Sequence, residues 1–157
     1  MSNIVPESKL LCVMIDMIPE QAPHFKSNLD WNSSFVKIRN DFHCSVLVAK
    51  SATQFPEHYD CQEYKVVITD VQVFDGGAVV ALLNDPFRLL ANFNKHLAKE
   101  CGAVQTYDTY RPHITVGYLV DPFPSTETEN VLTMISNMLI GSSWTLKEIK
   151  AKFVNVA

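Results

Sequence analysis

The 157-residue sequence has no clustered basic segment, no Cys-x-x-Cys pair and no long apolar run. Lysine and arginine together number 13 against 17 aspartates and glutamates, which gives a formal net charge of -4. Proteins that bind long DNA or RNA usually present a concentrated basic face. The composition therefore argues against a long polyanionic partner, while a small nucleotide stays compatible with it because a few local donors can hold one.

The cysteines are few and scattered, and they indicate neither a disulfide framework nor a metal site. They lie at four separate places, Cys12, Cys44, Cys61 and Cys101, so we expect reduced, buried thiols. His58 stands three residues from Cys61, but no second ligand pair at zinc spacing accompanies them, and no metal is predicted. The early apolar run at 10–15 is too short for a signal peptide or a membrane span. We expect a cytoplasmic protein without a membrane partner.

The rest of the composition is that of an ordinary globular chain. Hydrophobic residues make up 47% of the sequence, which is the usual proportion for a soluble domain. A chain of this length can bury a sizeable core without covalent staples. No low-complexity segment or linker interrupts it, so we predict one domain over residues 1–157.

Hydrophobic patterning predicts an α+β fold with about six strands and two or three helices. The strands are expected at 8–16, 41–50, 63–74, 77–84, 110–120 and 143–154, and residues 19–35 are expected to be helix or loop. Asp75-Gly76-Gly77 is typical of a hairpin turn between two of these strands.

Two helices have recognisable ends in the sequence. The first is predicted over 87–100, with Asp85 as its cap and Gly102 after its last turn. Its Phe87, Phe93 and Leu97 are expected to pack on the sheet. The second helix is expected to begin at Ser125 or Thr126 and to present an apolar face.

Two short motifs in predicted strands place an imidazole beside a hydroxyl. They are His43-Cys44-Ser45 and His113-Ile114-Thr115. Side chains alternate along a strand, so the histidine and the hydroxyl residue of each motif emerge on the same face, and the intervening residue points the other way. Tyr118 has the parity of Ile114 and is expected to face the core.

The paired motifs have a coherent chemistry. Histidine exchanges a proton near neutral pH, so His43 and His113 on opposite sides of a phosphodiester can act as base and acid. The hydroxyls of Ser45 and Thr115 can donate hydrogen bonds to the phosphate oxygens as negative charge builds. Each motif alone is equally consistent with a structural role, and the occurrence of both in strands favours a site.

The motifs and their flanks resemble the paired His-x-Thr/Ser motifs of the 2H phosphoesterase superfamily. Asp41-Phe42 and Arg111-Pro112, which precede the histidines, are similar to family sequence, and Ser45 keeps the hydroxyl that threonine usually supplies. The resemblance implies a two-lobed, pseudo-symmetric fold with antiparallel sheets around a central cleft and helices outside. Within the superfamily, the segment 71–86 and the chain length are most like the phage anti-CBASS phosphodiesterases.

The resemblance implies that the chain degrades the cyclic di- and trinucleotide signals of bacterial defence systems. It would cleave 3'-5' bonds in the host cytoplasm without a metal or cofactor, and the ribose 2'-hydroxyl would be the nucleophile. For substrate binding, Arg111 can clamp a phosphate, and Phe74 and Tyr110 can stack on a base. An ordinary surface role for Arg111, and ordinary hydrophobic packing for Phe74 and Tyr110, stay open as alternatives.

Other functions stay open at this point. The chain can be a LigT-like RNA phosphodiesterase acting on 2',3'-cyclic or 2'-5' linkages, or a nucleotide sponge that binds without cleaving. A third possibility is an interaction protein in which both histidines are core residues. None of these features predicts the oligomeric state.

Overall fold

The structure is a computed structural model that describes residues 2–32, 34–56, 63–121, 123 and 125–156. The strands in these residues are β1 (Lys9–Met17), β2 (Val36–Ile38), β3 (His43–Ser51), β4 (Tyr64–Phe74), β5 (Ala78–Leu83), β6 (Val104–Gln105), β7 (His113–Leu119) and β8 (Ser143–Asn155). The helices are α1 (Ala22–Ser27), α2 (Leu89–Cys101) and α3 (Thr126–Leu139), with 3-10 turns at Asp30–Asn32 and Pro86–Arg88. The six predicted strands are confirmed. The sequence missed β2 and β6, which are too short to show an alternating pattern.

All eight of these strands belong to one antiparallel sheet, and its strand order is symmetric about its centre. Its order is β2-β7-β5-β4-β8-β1-β3-β6. From either end, a short outer strand is followed by a motif strand, β7 or β3, and then by two inner strands. An additional pairing joins β3 to β7, and this pairing brings the two motif strands together.

The helices cover the apolar face of the sheet. α2 packs against β3 and α3 packs against β4, and their buried side chains join the same core cluster as the sheet residues Cys44 and Ile114. The motif side chains emerge from the opposite face of the sheet, and this face is therefore where a functional site is expected. The predicted α+β class with outer helices is therefore confirmed.

Strand β3 contains a β-bulge directly after its motif. Ser45 and Leu47 pair with successive residues of β1, so Val46 has no partner of its own in that ladder. Val46 and Leu47 are both buried, and Val48 returns to partial exposure. Because a bulge places two consecutive residues opposite one, Val48 rejoins the face of the motif.

Strand β7 contains the same bulge at the equivalent position. Thr115 and Gly117 pair with successive residues of β5, and Val116 is the extra residue. Val116 and Gly117 are both buried, and Tyr118 is 43% exposed. The prediction that Tyr118 faces the core was therefore wrong, because strict alternation does not continue through a bulge.

Gly117 also allows β2 to pair closely with β7. It lies opposite Ile38, and a Cβ atom at this position would lie 2.3 Å from the main-chain carbonyl oxygen of Lys37. Only a residue without a side chain fits there unless the backbone of β2 moves.

The start of α2 differs from the prediction. Phe87 and Arg88 adopt positive φ angles of 57° and 55°, so the α-helix begins only at Leu89. The Asp85 carboxylate accepts hydrogen bonds from the backbone N–H groups of Leu90 and Ala91 at 2.7 and 2.9 Å, which confirms its capping role. The prediction that Phe87 packs on the sheet was wrong, because the 3-10 turn leaves this side chain 91% exposed.

The other predicted ends are confirmed. Gly102 ends α2 in the left-handed conformation, which glycine adopts without strain. The Ser125 hydroxyl accepts a hydrogen bond from the N–H of Thr128 at the start of α3. Gly76 and Gly77 both have positive φ in the turn between β4 and β5.

Replacing Gly117 by alanine is expected to destabilise the fold by about 1–3 kcal/mol, the usual cost of forcing atoms into a filled space. Chemical denaturation of Gly117→Ala beside the native protein measures this directly. An unchanged free energy of unfolding would contradict the close approach of β2 to β7.

Candidate functional site

The β3–β7 pairing sets the relative positions of the two motifs. Cys44 lies directly opposite Ile114, and both are fully buried. The same antiparallel register places Ser45 beside His113 and His43 beside Thr115. Diagonal neighbours of this kind lie about 7–8 Å apart, so the two imidazoles stand at opposite corners of one four-residue cluster.

His113 is held by the main chain two residues before it. Its Nδ1 donates a hydrogen bond of 2.8 Å to the carbonyl oxygen of Arg111. A carbonyl oxygen can only accept, so the proton of the neutral ring sits on Nδ1 and the lone pair is on Nε2. The ring of Phe74 packs edge-on against the imidazole, with centroids 5.1 Å apart.

His43 is held by a carboxylate two residues before it. Its Nδ1 lies 3.2 Å from Oδ2 of Asp41, and its Nε2 makes no hydrogen bond within the described part of the chain. Asp41 pairs in turn with the guanidinium of Arg39 at 3.2 Å. Arg39 also donates to the Tyr118 hydroxyl at 3.3 Å, and the β7 bulge puts that hydroxyl within its reach.

The sequence pointed to Asp41 only as a motif flank, assigned Tyr118 to the core and gave no role to Arg39. The signal for Asp41 was present, because residues two apart on an extended chain share a face. Arg39 carried no such signal, since it follows the short strand β2, which the sequence did not reveal.

Both imidazoles favour the neutral form. Burial lowers the pKa of His43, and the positive charge of Arg39 lowers it further, while the carboxylates of Asp41 and Asp16 oppose the shift. Burial also lowers the pKa of His113; its hydrogen bond to Arg111 opposes this, and the Arg111 charge adds to it. Partial burial raises the pKa of Asp41, but Arg39 and His43 outweigh it and leave that pKa below its usual value.

A cavity of about 880 Å³ opens beside the motifs, within the range typical of small-molecule sites. Its lining includes Ser45, Val48, Gln72, Val73, Phe74, Asp75, Thr106, Tyr107, Thr109, Tyr110, Arg111 and His113. His43 and Thr115 are not in this lining. The three residues predicted to bind substrate, Arg111, Phe74 and Tyr110, all belong to the lining.

Arg111 and Phe74 form one wall of the cavity. The guanidinium carbon of Arg111 lies 5.3 Å from the centroid of the Phe74 ring. Its Nη2 donates to the side-chain oxygen of Gln72 at 3.1 Å. Within the described part of the chain no carboxylate pairs with Arg111, so its charge is available to an anion.

Tyr110 has a structural contact that the sequence did not predict. Its hydroxyl donates a hydrogen bond of 3.0 Å to the backbone oxygen of Ser45, and it lies 3.5 Å from the Cys44 sulfur. Burial raises the pKa of both the Tyr110 hydroxyl and the Cys44 thiol, the latter to about 11. Tyr110 thus fixes the motif strand β3, while its ring lines the cavity.

Three of the four cysteines lie in the residues that the structure describes. Cys12, Cys44 and Cys101 are free and buried, and the His58–Cys61 pair lies outside the residues that the structure describes. No group of three or more potential metal ligands occurs in the described ranges. None of the helices described has the length and apolar character to span a membrane.

Comparisons with known proteins identify a family from the sequence and a shared fold from solved structures. The sequence model of a family described as "Anti-CBASS protein Acb1" matches residues 24–140. Usb1 of Kluyveromyces marxianus has a similar structure, with a TM-score of 0.56 at 9% identity over 96% of this chain and 100% of that one. E. coli LigT, crystallised with 3'-AMP, aligns with a TM-score of 0.51 at 14% identity over 96% and 97%. No curated protein sequence matches significantly.

The two depressed histidine pKa values predict a pH-dependent stability. An unfolded histidine takes up its proton as the pH falls through about 6.5, whereas His43 and His113 in the folded protein resist protonation until lower pH. The unfolded state therefore binds more protons in this window, and the free energy of unfolding falls as the pH is lowered from about 7.5 to 5.

Urea denaturation across this pH range measures the slope. The double variant His43→Gln/His113→Gln is expected to show a weaker dependence on pH, since two proton-binding sites are gone. A slope equal to that of the native protein would show that these imidazoles are not the groups responsible.

Proposed function

The chain belongs to the family of the anti-CBASS protein Acb1 and is a phosphodiesterase, and we propose that it hydrolyses 3'-5' bonds of cyclic di- or trinucleotide second messengers. The observation that carries this proposal is the single cluster of two imidazoles and two hydroxyls at the β3–β7 pairing. Cleavage of such signals would let a phage evade the bacterial defence that makes them.

The proposed chemistry needs only the side chains of this cluster. His43 and His113 each make a hydrogen bond through Nδ1 and none through Nε2 among the residues described, and an Nε2 left open in this way can take or give a proton at a bound phosphate. The hydroxyls of Ser45 and Thr115 stand between them and can donate to the non-bridging oxygens. Hydrogen bonds of this kind strengthen as charge builds in the transition state. We propose that no metal ion takes part.

The cavity supports a nucleotide as substrate. The Arg111 guanidinium provides a positive charge that matches phosphate oxygens. Phe74 lies directly below it and exposes part of its ring within the same lining, where a base can stack. Tyr110 and Tyr107 form another part of the lining, with ring centroids 6.0 Å apart.

An RNA phosphodiesterase acting on 2',3'-cyclic or 2'-5' linkages is the alternative. It is favoured by the similarity in fold to E. coli LigT, which was crystallised with 3'-AMP. A panel of cyclic dinucleotides, cyclic trinucleotides and short RNAs with each type of linkage separates the two functions. If the chain were instead a nucleotide sponge that binds without cleaving, every one of these ligands would be recovered intact after the protein is denatured.

Cleavage of a cyclic oligonucleotide is expected to continue in excess EDTA and to require both histidines. His43→Ala and His113→Ala should each lower turnover by about 10²–10⁴-fold, the usual contribution of one acid or base. Mass spectrometry of the products is the measurement. His96→Ala is a matched control, because that histidine is exposed on α2, where it pairs with Glu100.

Two different results would contradict two different parts of this proposal. Loss of activity in EDTA that returns with added metal would contradict a metal-independent reaction. Turnover close to native in either motif variant would contradict the paired roles of the histidines.

Phe74→Ala is expected to weaken substrate binding by about 1–3 kcal/mol, the measured range for one stacked base. The loss should fall mainly on KM, because the aromatic ring binds ground state and transition state alike. Phe74→Trp should retain binding, since it keeps an aromatic surface. Steady-state kinetics that leave KM unchanged in Phe74→Ala would show that the ring serves packing only.

A further inference from the structure

One polar side chain interrupts the apolar face of α2. The buried residues of this helix are Leu90, Asn94, Leu97 and Cys101, and their spacing is that of a helix face turned to the core. Asn94 is only 3% exposed. A carboxamide buried among apolar side chains costs free energy unless its hydrogen bonds are made, so the partners of Asn94 decide whether it does more than fill space.

Asn94 donates hydrogen bonds to three different parts of the fold. Its Nδ2 lies 2.6 Å from the carbonyl oxygen of Val46, 2.8 Å from Oε1 of Gln105 and 3.3 Å from the Tyr107 hydroxyl. Nε2 of Gln105 returns a longer bond of 3.4 Å to Oδ1 of Asn94. Val46 belongs to β3, Gln105 to β6 and Tyr107 to the lining of the cavity. One side chain of α2 thus joins the motif strand to the cavity wall.

The bond to Val46 is made at the bulge of β3. Val46 is the residue without a partner on β1, and Ser45, directly before it, carries the hydroxyl of the motif. In the other half of the sheet the extra residue of the bulge is Val116, whose carbonyl oxygen accepts a bond of 3.0 Å from the backbone N–H of Arg39. The outer strand β6 pairs with β3 only beyond the bulge. Asn94 therefore supplies from a side chain the donor that the backbone after β2 supplies in the other half.

From these contacts we infer that Asn94 is a positioning residue of the reaction, which holds the Ser45 hydroxyl and the Tyr107 ring in place through the β3 bulge. A bulge is a local deformation of the strand ladder, and the bond to its extra carbonyl fixes its shape. A shift of this carbonyl would turn the neighbouring Ser45 hydroxyl away from the phosphate. Asn94 is not itself in the cavity lining, so it acts through these residues. This inference rests on the proposed function, to which it adds a residue outside the motifs.

The first test uses no substrate. Asn94→Leu keeps the approximate size of the side chain and removes its donors. NMR of this variant is expected to show shifted backbone amide resonances at residues 45–48 and 105–107, while those at 115–118 keep their positions because backbone holds that bulge. Leu97→Ala, about one turn further along the same buried face, is the control for lost core packing and should move the 45–48 resonances less. Unchanged resonances at 45–48, or equal shifts in both bulges, would overturn the inference.

The second test is the turnover of a cyclic dinucleotide. Asn94→Leu is expected to lower kcat by about 10–10²-fold, the size of effect that a misplacement of roughly 1 Å has on a reacting group, with a smaller change in KM. In a Ser45→Ala background the same substitution should lower kcat by less than about threefold, because the hydroxyl that it displaces is already gone. Leu97→Ala should keep kcat per folded molecule close to native.

Asn94→Asp tests the hydrogen-bond donor itself. The new carboxyl has nearly the shape of the amide, but it can donate to the Val46 carbonyl only when it is protonated. Burial raises the pKa of such a carboxyl toward neutral pH, so the kcat of this variant relative to the native protein is expected to rise as the pH is lowered from about 9 to 6. The same ratio for Asn94→Leu should stay flat. If Asn94→Leu does not fold, the ratio for Asn94→Asp carries the test.

The outcomes separate this inference from the proposed function. A loss of kcat that is equal in Asn94→Leu and Leu97→Ala, or that adds fully to the loss from Ser45→Ala, would overturn the inference, since Asn94 would then serve stability alone. So would a kcat ratio of Asn94→Asp that does not change with pH. A native protein that cleaves no cyclic oligonucleotide would refute the proposed function, and the amide shifts at 45–48 would still decide whether Asn94 sets the shape of the β3 bulge.

Discussion

The site depends on one short contact between strands that are far apart in sequence. Cys44 opposite Ile114 is the point at which β3 and β7 meet. Both side chains are buried in the apolar core, so their register cannot slip by one residue without turning the motifs into the core and the apolar residues out of it. The same hydrophobic packing that forms the core thus places two imidazoles and two hydroxyls around one position.

The two halves of the sheet share more than the motif. Each has a bulge directly after the hydroxyl residue, and each brings a further side chain back to the site face, Val48 in one half and Tyr118 in the other. The backbone is therefore nearly the same while the side chains differ. A symmetric frame that holds two identical histidines needs such differences, because an acid and a base must hold opposite protonation states at the same pH.

Much of this arrangement could be predicted from the sequence, and the remainder depended on local backbone geometry. The spacing within His43–Ser45 and His113–Thr115, and the turn glycines after Asp75, gave the site strands and one hairpin. Alternation failed at Tyr118, because a bulge changes side-chain parity without any sequence signal other than Gly117. The alternating pattern also did not predict that Arg39 lies at the site. This residue follows β2, and a strand of three residues is too short to show a period.

The central claim is that both imidazoles act on the same phosphorus atom. A crystal structure with a 2'-deoxy cyclic dinucleotide, which lacks the attacking hydroxyl, measures this most directly. One phosphate should lie within hydrogen-bond distance of Nε2 of His43 and Nε2 of His113, on opposite sides, with the hydroxyls of Ser45 and Thr115 on its non-bridging oxygens. A ligand whose phosphates contact only one of these imidazoles, or neither, would contradict it.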